Sequence, residues 1–458
     1  MININNKTMQ LLLAIKQANG NPYIVGGFVR DLVMGYIPKD IDIECYDISV
    51  SRLTEVLSRF GEVNKIGSSF GILKIDMRKN GGDELDISLP RTESKNGSGH
   101  KGFMVDFESN ITPREGCARR DFTMNSMMYN PFTEQIIDYF DGKTDIKNKV
   151  LRHTTEAYME DSLRVLRAMQ FCARFGFEID CKTAILSREM LCDFDNLSKE
   201  RITEEFNKMM IKGKYISDGL NVLVKTDWIQ KFPELNNLIG CPQEKEWHPE
   251  GDVWNHTLQV IDSGREITEH EQLNTTDKII LLYACLLHDI GKPDTTKYLN
   301  GKIVSHGHEE RGAELTIDFF NNIGLYDKNI IDNVIPLVGN HLKHLQTITD
   351  RSIRRLSLSL LPSNIKMLSY LIETDHSGRG SMPKGLPLEA KLMLEKSEQL
   401  NIQLNAPKPI LMGRHLLELG FESGKEMGVL LKRAFEKQLD GEFNNTEDGI
   451  KWIKTQIN

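Results

Sequence analysis

The sequence predicts an α+β chain in which a small mixed β-sheet occupies the first third and nearly everything after it is helical. Three observations carry this. Residues 1–150 hold short apolar or alternating runs between glycine-containing turns: Tyr23-Ile24-Val25, Ile41-Asp42-Ile43, Gly71-Ile72-Leu73-Lys74-Ile75 and Glu84-Leu85-Asp86-Ile87-Ser88. Beyond residue 150 the period changes to 3.6, as in Leu163, Leu166 and Ala168 to Phe171, with few strand signals up to the C terminus. The third is size: 458 residues, 40% apolar and 27% charged, supply more than one buried core, at roughly 100–200 residues per domain. We expect a head over 1–150, a helical neck over 151–220, a helical bundle over 221–385 and a helical tail over 386–458. Cys241-Pro242-Gln243 and the polar stretch Gly378-Arg379-Gly380-Ser381-Met382-Pro383 look like connections.

These numbers exclude a single small binding module and wholesale disorder. The longest uncharged apolar run, Ile279 to Leu287, is far shorter than the roughly 18–20 residues that cross a bilayer, so no membrane partner is expected. The N-terminal residues lack a charged segment followed by an apolar one, which makes the cytoplasm the expected location. Seven cysteines without a CxxC pair argue against a disulfide framework and a zinc ribbon. A net charge of −8 means that any nucleic acid is gripped by local basic patches, such as Arg114 to Arg120 or the helix carrying Arg164, Arg167 and Arg174.

The segment Tyr23-Ile24-Val25-Gly26-Gly27-Phe28-Val29-Arg30-Asp31 reads as a strand, a Gly-Gly turn and a helix start, where free amides meet phosphate oxygens and Arg30 adds a bidentate grip. Lys39-Asp40-Ile41-Asp42-Ile43 follows. On a strand Asp40 and Asp42 share one face, and two adjacent carboxylates repel unless a cation sits between them. A lone string of this kind is equally an exposed polar strand face. A third carboxylate changes that: Asp86, on a neighbouring strand, completes an oxygen cage suited to Mg2+, and two such ions stabilise both ends of a phosphoryl displacement.

Gly26-Gly27-Phe28-Val29-Arg30-Asp31, Asp40-Ile41-Asp42 and Arg119-Arg120-Asp121-Phe122-Thr123-Met124-Asn125-Ser126 resemble, in order and spacing, the head of class II tRNA nucleotidyltransferases, the CCA-adding enzymes of the polymerase-β-like superfamily. Ile137 to Gly142 with Asp145-Ile146 and Leu151-Arg152-His153 looks like that family's linking motif. Glu160-Asp161-Ser162-Leu163-Arg164-Val165-Leu166-Arg167 looks like its nucleotide-template motif, and Arg201-Ile202-Thr203-Glu204-Glu205 its neck motif. The resemblance implies a nucleotidyltransferase head, the catalytic carboxylates Asp40, Asp42 and Asp86 with Mg2+, and Gly26, Gly27, Arg30, Arg120, Asp161, Arg164 and Arg167 on the nucleotide. It also implies ATP, CTP and tRNA as partners.

Base selection has a physical basis. At helical spacing Asp161 and Arg164 share a face, offering acceptors beside donors. Cytosine and adenine both present an amino donor next to a ring-nitrogen acceptor, whereas uracil and guanine put a carbonyl there and leave buried groups unpaired, a penalty of roughly 1–3 kcal/mol per lost bond. Gln170 stands where the family motif usually has arginine, from which we expect weaker nucleotide affinity. The Gly- and Ser-rich stretch 91–103 resembles the flexible loop of members that add the terminal A.

A second set comprises His248, His256, His288-Asp289, His306, His308, His341 and Asp375. His288 and Asp289 end an apolar run, so buried charge there needs a partner, and converging imidazoles and carboxylates make a site for a divalent ion that promotes attack on a phosphate ester. The set resembles the HD phosphohydrolase domain carried by some bacterial CCA-adding enzymes. By that resemblance His256, His288, Asp289 and Asp375 are the ligands, with His306, His308 and His341 as accessory groups and the metal's identity open. The implied activity is cleavage of phosphomonoesters or 2′,3′-cyclic phosphates. The tail, Leu411 to Gly441, looks like that of HD-containing members and is expected to contact tRNA or support the bundle. Two rivals remain at this point: a poly(A) polymerase sharing the head, and an HD phosphohydrolase whose head merely binds nucleotide or RNA.

Overall fold

The structure, a computed structural model, describes residues 4–38, 40–64, 72–90, 92–95, 103–106, 111–380 and 383–456. Most of the 91–103 loop therefore lies outside the described residues. The chain forms two compact units, one of residues 1–209 with 218–231 and the other of residues 210–217 with 232–458.

In the first unit, β1 (Asn21–Val25), β2 (Asp42–Tyr46), β3 (Glu62–Asn64), β4 (Ile72–Asp76) and β5 (Glu84–Ser88) join a seven-stranded sheet. The hairpin β6 (Thr92–Lys95) and β7 (Phe103–Asp106) stands apart, and β8 (Met128–Asn130) with β9 (Gln135–Ile137) completes the order β3-β4-β5-β2-β1-β8-β9. Every pair in the large sheet is antiparallel except β2 with β5, so the sheet is mixed, as expected. Strand alternation sorts its faces. Ile43, Ile75, Leu85 and Ile87 point into the main core with Leu11, Leu12 and Ile15 of α1 (Asn6–Gln17). That core also takes Val29 of α2 (Gly27–Val33) and Leu53, Val56 and Leu57 of α3 (Val50–Leu57). Asp42, Glu44, Tyr46 and Asp86 are left for the opposite face, where Tyr46 packs with Val25, Met128 and Cys117 of α4 (Pro113–Ala118). A capping box fixes the start of α4: the Thr112 hydroxyl accepts from the Glu115 amide, and the Glu115 carboxylate accepts from the Thr112 amide at 2.8 Å.

Helix α5 (Gly142–Asn148) leads to β10 (Val150–Leu151), which pairs in parallel with β11 (Glu178–Ile179) across α6 (Leu163–Phe175). One stripe of α6 is buried (Val165, Leu166, Met169, Cys172), and the helix ends at Gly176, whose φ of 64° suits a residue without Cβ. Then follow α7 (Cys181–Glu189), α8 (Lys199–Lys212) and α9 (Ile216–Lys225).

The second unit holds the short α10 (Pro233–Asn236), α11 (Val253–His270) and α12 (Thr275–Leu287). From Ile279 to Leu287 every residue of α12 is buried, so it is the central helix. The short α13 (Lys292–Thr295) precedes a hairpin of β12 (Lys297–Leu299) and β13 (Lys302–Val304), a feature that the expectation of a nearly all-helical remainder did not place. Its signal was present: Asn300-Gly301, both at positive φ, is the preferred two-residue hairpin turn. α14 (His308–Ile323), α15 (Lys328–Asn340), α16 (Asp350–Ser359) and α17 (Ile365–Ser377) complete the bundle, with α11, α15 and α17 against α12. α18 (Leu388–Gln399), α19 (Gly413–Glu418), α20 (Lys425–Asp440) and α21 (Thr446–Thr455) follow; the last three share a small core of Leu411, Leu416, Met427, Ala434, Phe443 and Ile453. Arg355 ties that tail to the bundle through Glu436 at 2.9 Å and Asp440 at 3.0 Å. Among the described residues no helix is long and apolar enough to cross a membrane.

Gly291 sets the approach of α14 to the end of α12. A Cβ there would stand 2.2 Å from the His308 carbonyl oxygen and 2.6 Å from the Gly312 amide. We expect Gly291→Ala to force these segments apart and to lower the unfolding free energy of the second unit by about 1–3 kcal/mol, measured by urea denaturation.

Candidate functional site

The first candidate site is built on the polar face of the sheet. Asp42 starts β2 directly opposite Val25 of β1 and Asp86 of the parallel β5, so two carboxylates stand in register on neighbouring strands. Burial and then the charge of Asp86 push Asp42 above the ordinary carboxylate range, with partial relief from Arg120 and a further upward push from Asp40. Asp86 Oδ1 is shielded from solvent without a hydrogen-bond partner; the Lys74 ammonium is 3.6 Å away, an ion-pair distance. A shielded carboxylate oxygen beside a repelled carboxylate fits a divalent cation. Asp40 differs from the expectation: it precedes the strand and is exposed, so strand periodicity accounts for Asp42 and Asp86 but not for Asp40.

Beside these carboxylates lies a cleft of about 380 Å³ whose lining includes Gly26, Gly27, Arg30, Asp42, Arg120, Asp161, Arg164 and Arg167. Gly26 has φ 69°, and a Cβ on it would meet Arg120 Nη1 at 3.4 Å, so the turn needs glycine for conformation and for space. Arg30 is less free than expected. Its guanidinium donates to Asp31 at 2.6 and 2.8 Å and to Asn125 at 2.9 Å, and lies against the rings of Phe171 and Phe175. Arg120 donates to Glu44 at 3.1 Å, and Glu44 in turn accepts from the buried Tyr46 hydroxyl at 2.9 Å. Arg167 pairs with Asp121 at 2.7 Å. Burial alone would raise the Asp121 carboxyl, but Arg167 and Asn125 hold it below its usual range.

The template pair is placed differently from the helical expectation. Asp161 lies before α6 in extended backbone (φ −135°), where its carboxylate accepts from the Leu163 amide at 3.1 Å. It pairs not with Arg164 but with Arg201 of α8, at 2.7 Å. Arg164 donates to the carbonyls of Ala157 and Arg119. Both side chains still line the cleft because Ser162 turns the chain into the helix between them. Gln170 is buried and is not among the residues lining the cleft. Sequence inspection missed Glu44, Asp121, Asn125 and Arg201 as supporting groups. The signal for Glu44 was the alternation Asp42, Glu44, Tyr46 on one strand face; the other three sit inside recognised motifs.

The second candidate site lies in the second unit. His256 comes from α11, His288 caps α12, His308 opens α14, His341 caps α15 and Asp375 lies on α17. All these side chains and Asp289 are buried. Nδ1 of His288, His308 and His341 faces a backbone carbonyl, of Cys285 at 2.9 Å, Ser305 at 2.6 Å and Val338 at 2.8 Å. A carbonyl only accepts, so each Nδ1 carries the proton and each Nε2 presents a lone pair inward. On Asp289, Oδ2 lies 3.2 Å from His288 Nε2 and 3.7 Å from His256 Nε2, while Oδ1 lies 3.3 Å from His308 Nε2 and 3.8 Å from His341 Nε2. Asp375 Oδ1 is 3.1 Å from His256 Nε2. Ring nitrogens face each other at 3.3 Å, His256 Nε2 to His288 Nε2 and His308 Nε2 to His341 Nε2, an approach that needs a shared cation or proton. Among the described residues, ligand atoms within 4.8 Å of one another form three groups: His256, His288 and Asp289; Asp289, His308 and His341; and His248, Glu250 and His256.

Burial and the neighbouring imidazoles push His341 down to about 3, which keeps it a neutral donor. Despite its burial, Asp375 is held well below the usual carboxylate range by Arg379 and His256. The four expected ligands are thus brought together, with His308 and His341 added on the far oxygen of Asp289; His306 remains exposed at the rim. Lys292 pairs with Asp289 at 2.7 Å, and Arg379 pairs with Asp375 at 3.0 Å, so the stretch expected to be a mere connection carries a site residue. A cavity of about 590 Å³ opens over the cluster.

Comparison with known proteins follows this layout. Residues 22–152 match the poly A polymerase head domain, 176–239 the probable RNA and SrmB-binding site of polymerase A, and 253–373 the HD domain. The multifunctional CCA protein of Xanthomonas oryzae pv. oryzae is 29% identical, with 90% of this chain and 96% of that protein covered. That of Pasteurella multocida is 33% identical, with 78% and 84% covered. Among solved structures, the Thermotoga maritima CCA-adding enzyme complexed with tRNA-CCA has a TM-score of 0.61 at 20% identity, covering 99% of this chain and 97% of that one. The Bacillus stearothermophilus CCA-adding enzyme in complex with CTP has a TM-score of 0.62 at 20% identity, covering 98% and 96%. With its head, RNA-binding segment and HD domain in this order and a relative one-third identical along most of its length, the chain belongs to the multifunctional CCA protein family.

Proposed function

We propose that the chain builds or restores the 3′ CCA end of tRNA from CTP and ATP with its head, and that its HD domain hydrolyses phosphate esters at a second, separate site. The observation that carries this is the cleft in which Asp42, with Asp86 in register on the neighbouring strand, meets Gly26, Gly27, Arg120, Arg167, Asp161 and Arg164. In the proposed reaction the RNA 3′ hydroxyl attacks the α-phosphate in line and pyrophosphate leaves. Mg2+ ions held by Asp40, Asp42 and Asp86 would neutralise charge on the triphosphate and the leaving group. The glycine turn lets the backbone approach the phosphates, and Arg120, steadied by Glu44, and Arg167, steadied by Asp121, offer guanidinium donors to them. Arg30, anchored by Asp31 and Asn125, supports the same wall. Asp161 and Arg164 read the base edge; a base that takes Asp161 competes with Arg201 for its carboxylate. Hydrogen bonding and positioning do the work, and no side chain is covalently modified.

The boundaries near residues 150, 220 and 385 assign the head, neck, HD domain and tail to these tasks. For the HD site, divalent ions held by His256, His288, Asp289 and Asp375, and by His308 and His341 across Asp289, would supply Lewis acidity. Lys292 and Arg379 place positive charge beside the ligands, where a phosphate needs it. The substrates in this proposal are phosphomonoesters or 2′,3′-cyclic phosphates on damaged tRNA ends, and the setting is the cytoplasm.

Full-length protein given tRNA truncated before CCA, labelled CTP and ATP, and Mg2+ should extend the end by C, C and A and stop; a ladder running beyond the terminal A would instead indicate a poly(A) polymerase. Asp86→Ala should reduce incorporation more than about a hundredfold while leaving hydrolysis by the HD site intact; unchanged incorporation would remove the carboxylate pair from the mechanism. Because the folded protein raises the Asp42 carboxyl, its ionised form opposes folding when no cation is bound. Asp42→Asn should therefore raise the melting temperature in EDTA at neutral pH, and the gain should vanish as pH falls below the carboxylate range, where both states are protonated.

A further inference from the structure

Of the four tryptophans, Trp228 and Trp254 are buried and Trp452 packs on Phe443, but Trp247 is 52% exposed and lines the cavity over the HD cluster. Leaving an indole half in water forfeits much of the apolar burial that usually holds it. Its position is nevertheless fixed. The amides of Trp247 and His248 donate to the Glu244 carbonyl at 3.1 and 2.9 Å, and the Glu244 carboxylate accepts from the Ile303 amide at 3.1 Å, joining the turn to the β12–β13 hairpin. The next residue, His248, lies edge-on to His256 with ring centroids 4.8 Å apart and reaches Glu250 at 2.9 Å. The backbone of this indole is thus tied on one side to the hairpin and on the other to a proposed metal ligand.

The cavity has the volume of a small-molecule site, about 590 Å³, far more than a phosphate group alone occupies. Its floor carries Asp289, Lys292 and Arg379, whereas its rim carries Trp247, Ile303 and Leu345. A charged floor below an aromatic and apolar rim suits a ligand with an anionic end and a flat one. We propose that Trp247 is a stacking platform for a nucleobase, so that the ester taken by the HD pocket is a nucleoside phosphate recognised through its base as well as its phosphate. This rests on the HD phosphohydrolase reading above and adds the residue that sets its specificity.

The test uses full-length protein with Mg2+ or Mn2+, in an Arg164→Ala background that disables base reading in the head. Equilibrium dialysis of labelled adenosine 2′-phosphate should show binding at least about tenfold weaker in Trp247→Ala and near wild type in Trp247→Phe, since stacking tolerates any aromatic ring. In steady-state hydrolysis, Trp247→Ala should raise KM for adenosine 2′-phosphate with little change in kcat, and leave kcat/KM for the base-free glycerol 2-phosphate within twofold. Unchanged nucleotide binding in Trp247→Ala, or equal losses on both esters, would overturn the platform. Wild-type binding that depends on Trp247 but yields no hydrolysis would support the platform and sink the phosphohydrolase reading. Repeating the binding measurement with tRNA ending in a 2′,3′-cyclic phosphate identifies the source of the base: a Trp247-dependent loss on the RNA as well assigns a polymer end, and a loss on the free nucleotide alone assigns a mononucleotide.

Discussion

Asp42 and Asp86 face each other in register across a parallel strand pair of the large sheet, with Lys74 at 3.6 Å from Asp86 and Arg120 partly offsetting the repulsion at Asp42. Arg120 is itself committed to Glu44 at 3.1 Å. Folding therefore brings negative charge together at a place where a divalent cation would relieve the remaining repulsion. Guanidinium groups line the cleft, four of them held by a carboxylate: Arg30 by Asp31, Arg120 by Glu44, Arg167 by Asp121 and Arg201 by Asp161. Arginines restrained in this way keep their charge and direction, so an anion entering the cleft meets fixed donors and spends little entropy in ordering them.

The HD cluster solves a related problem with imidazoles. Backbone carbonyls hold the Nδ1 protons of His288, His308 and His341, which turns their Nε2 atoms into inward lone pairs around Asp289. The restraint is local, each carbonyl lying three residues before its histidine; for His288 and His341 it comes from the last turn of a helix, where carbonyls lack a partner further along, and for His308 from Ser305 just before α14. The buried helix α12 supplies the rigid base: His288 and Asp289 follow directly on nine consecutive buried residues.

Several of these features could be read from the sequence because they are periodic or adjacent. Strand alternation put Asp42 and Asp86 on the polar face, the Gly26-Gly27 turn marked the switch from strand to helix, and the apolar run before His288-Asp289 announced a buried site. Where local periodicity was extended past its element it failed. Asp40 lies outside the strand and Asp161 outside the helix, since chain entry and capping, rather than side-chain spacing, decide the first residues of an element.

The sequence by itself determined the change from a sheet-bearing head to a helical remainder, many of the residues that the two candidate sites bring together and, through its motifs, the resemblance that proved correct for the family. Tertiary structure alone decided the partners. Arg201 reaches Asp161 across 40 positions, Arg120 reaches Glu44 across 76, and His308 and His341 fall on the second oxygen of Asp289. Such pairings depend on helix packing and strand order, which arise from the summed burial of many apolar side chains; no local pattern encodes the distance between two residues that meet only after that burial is complete.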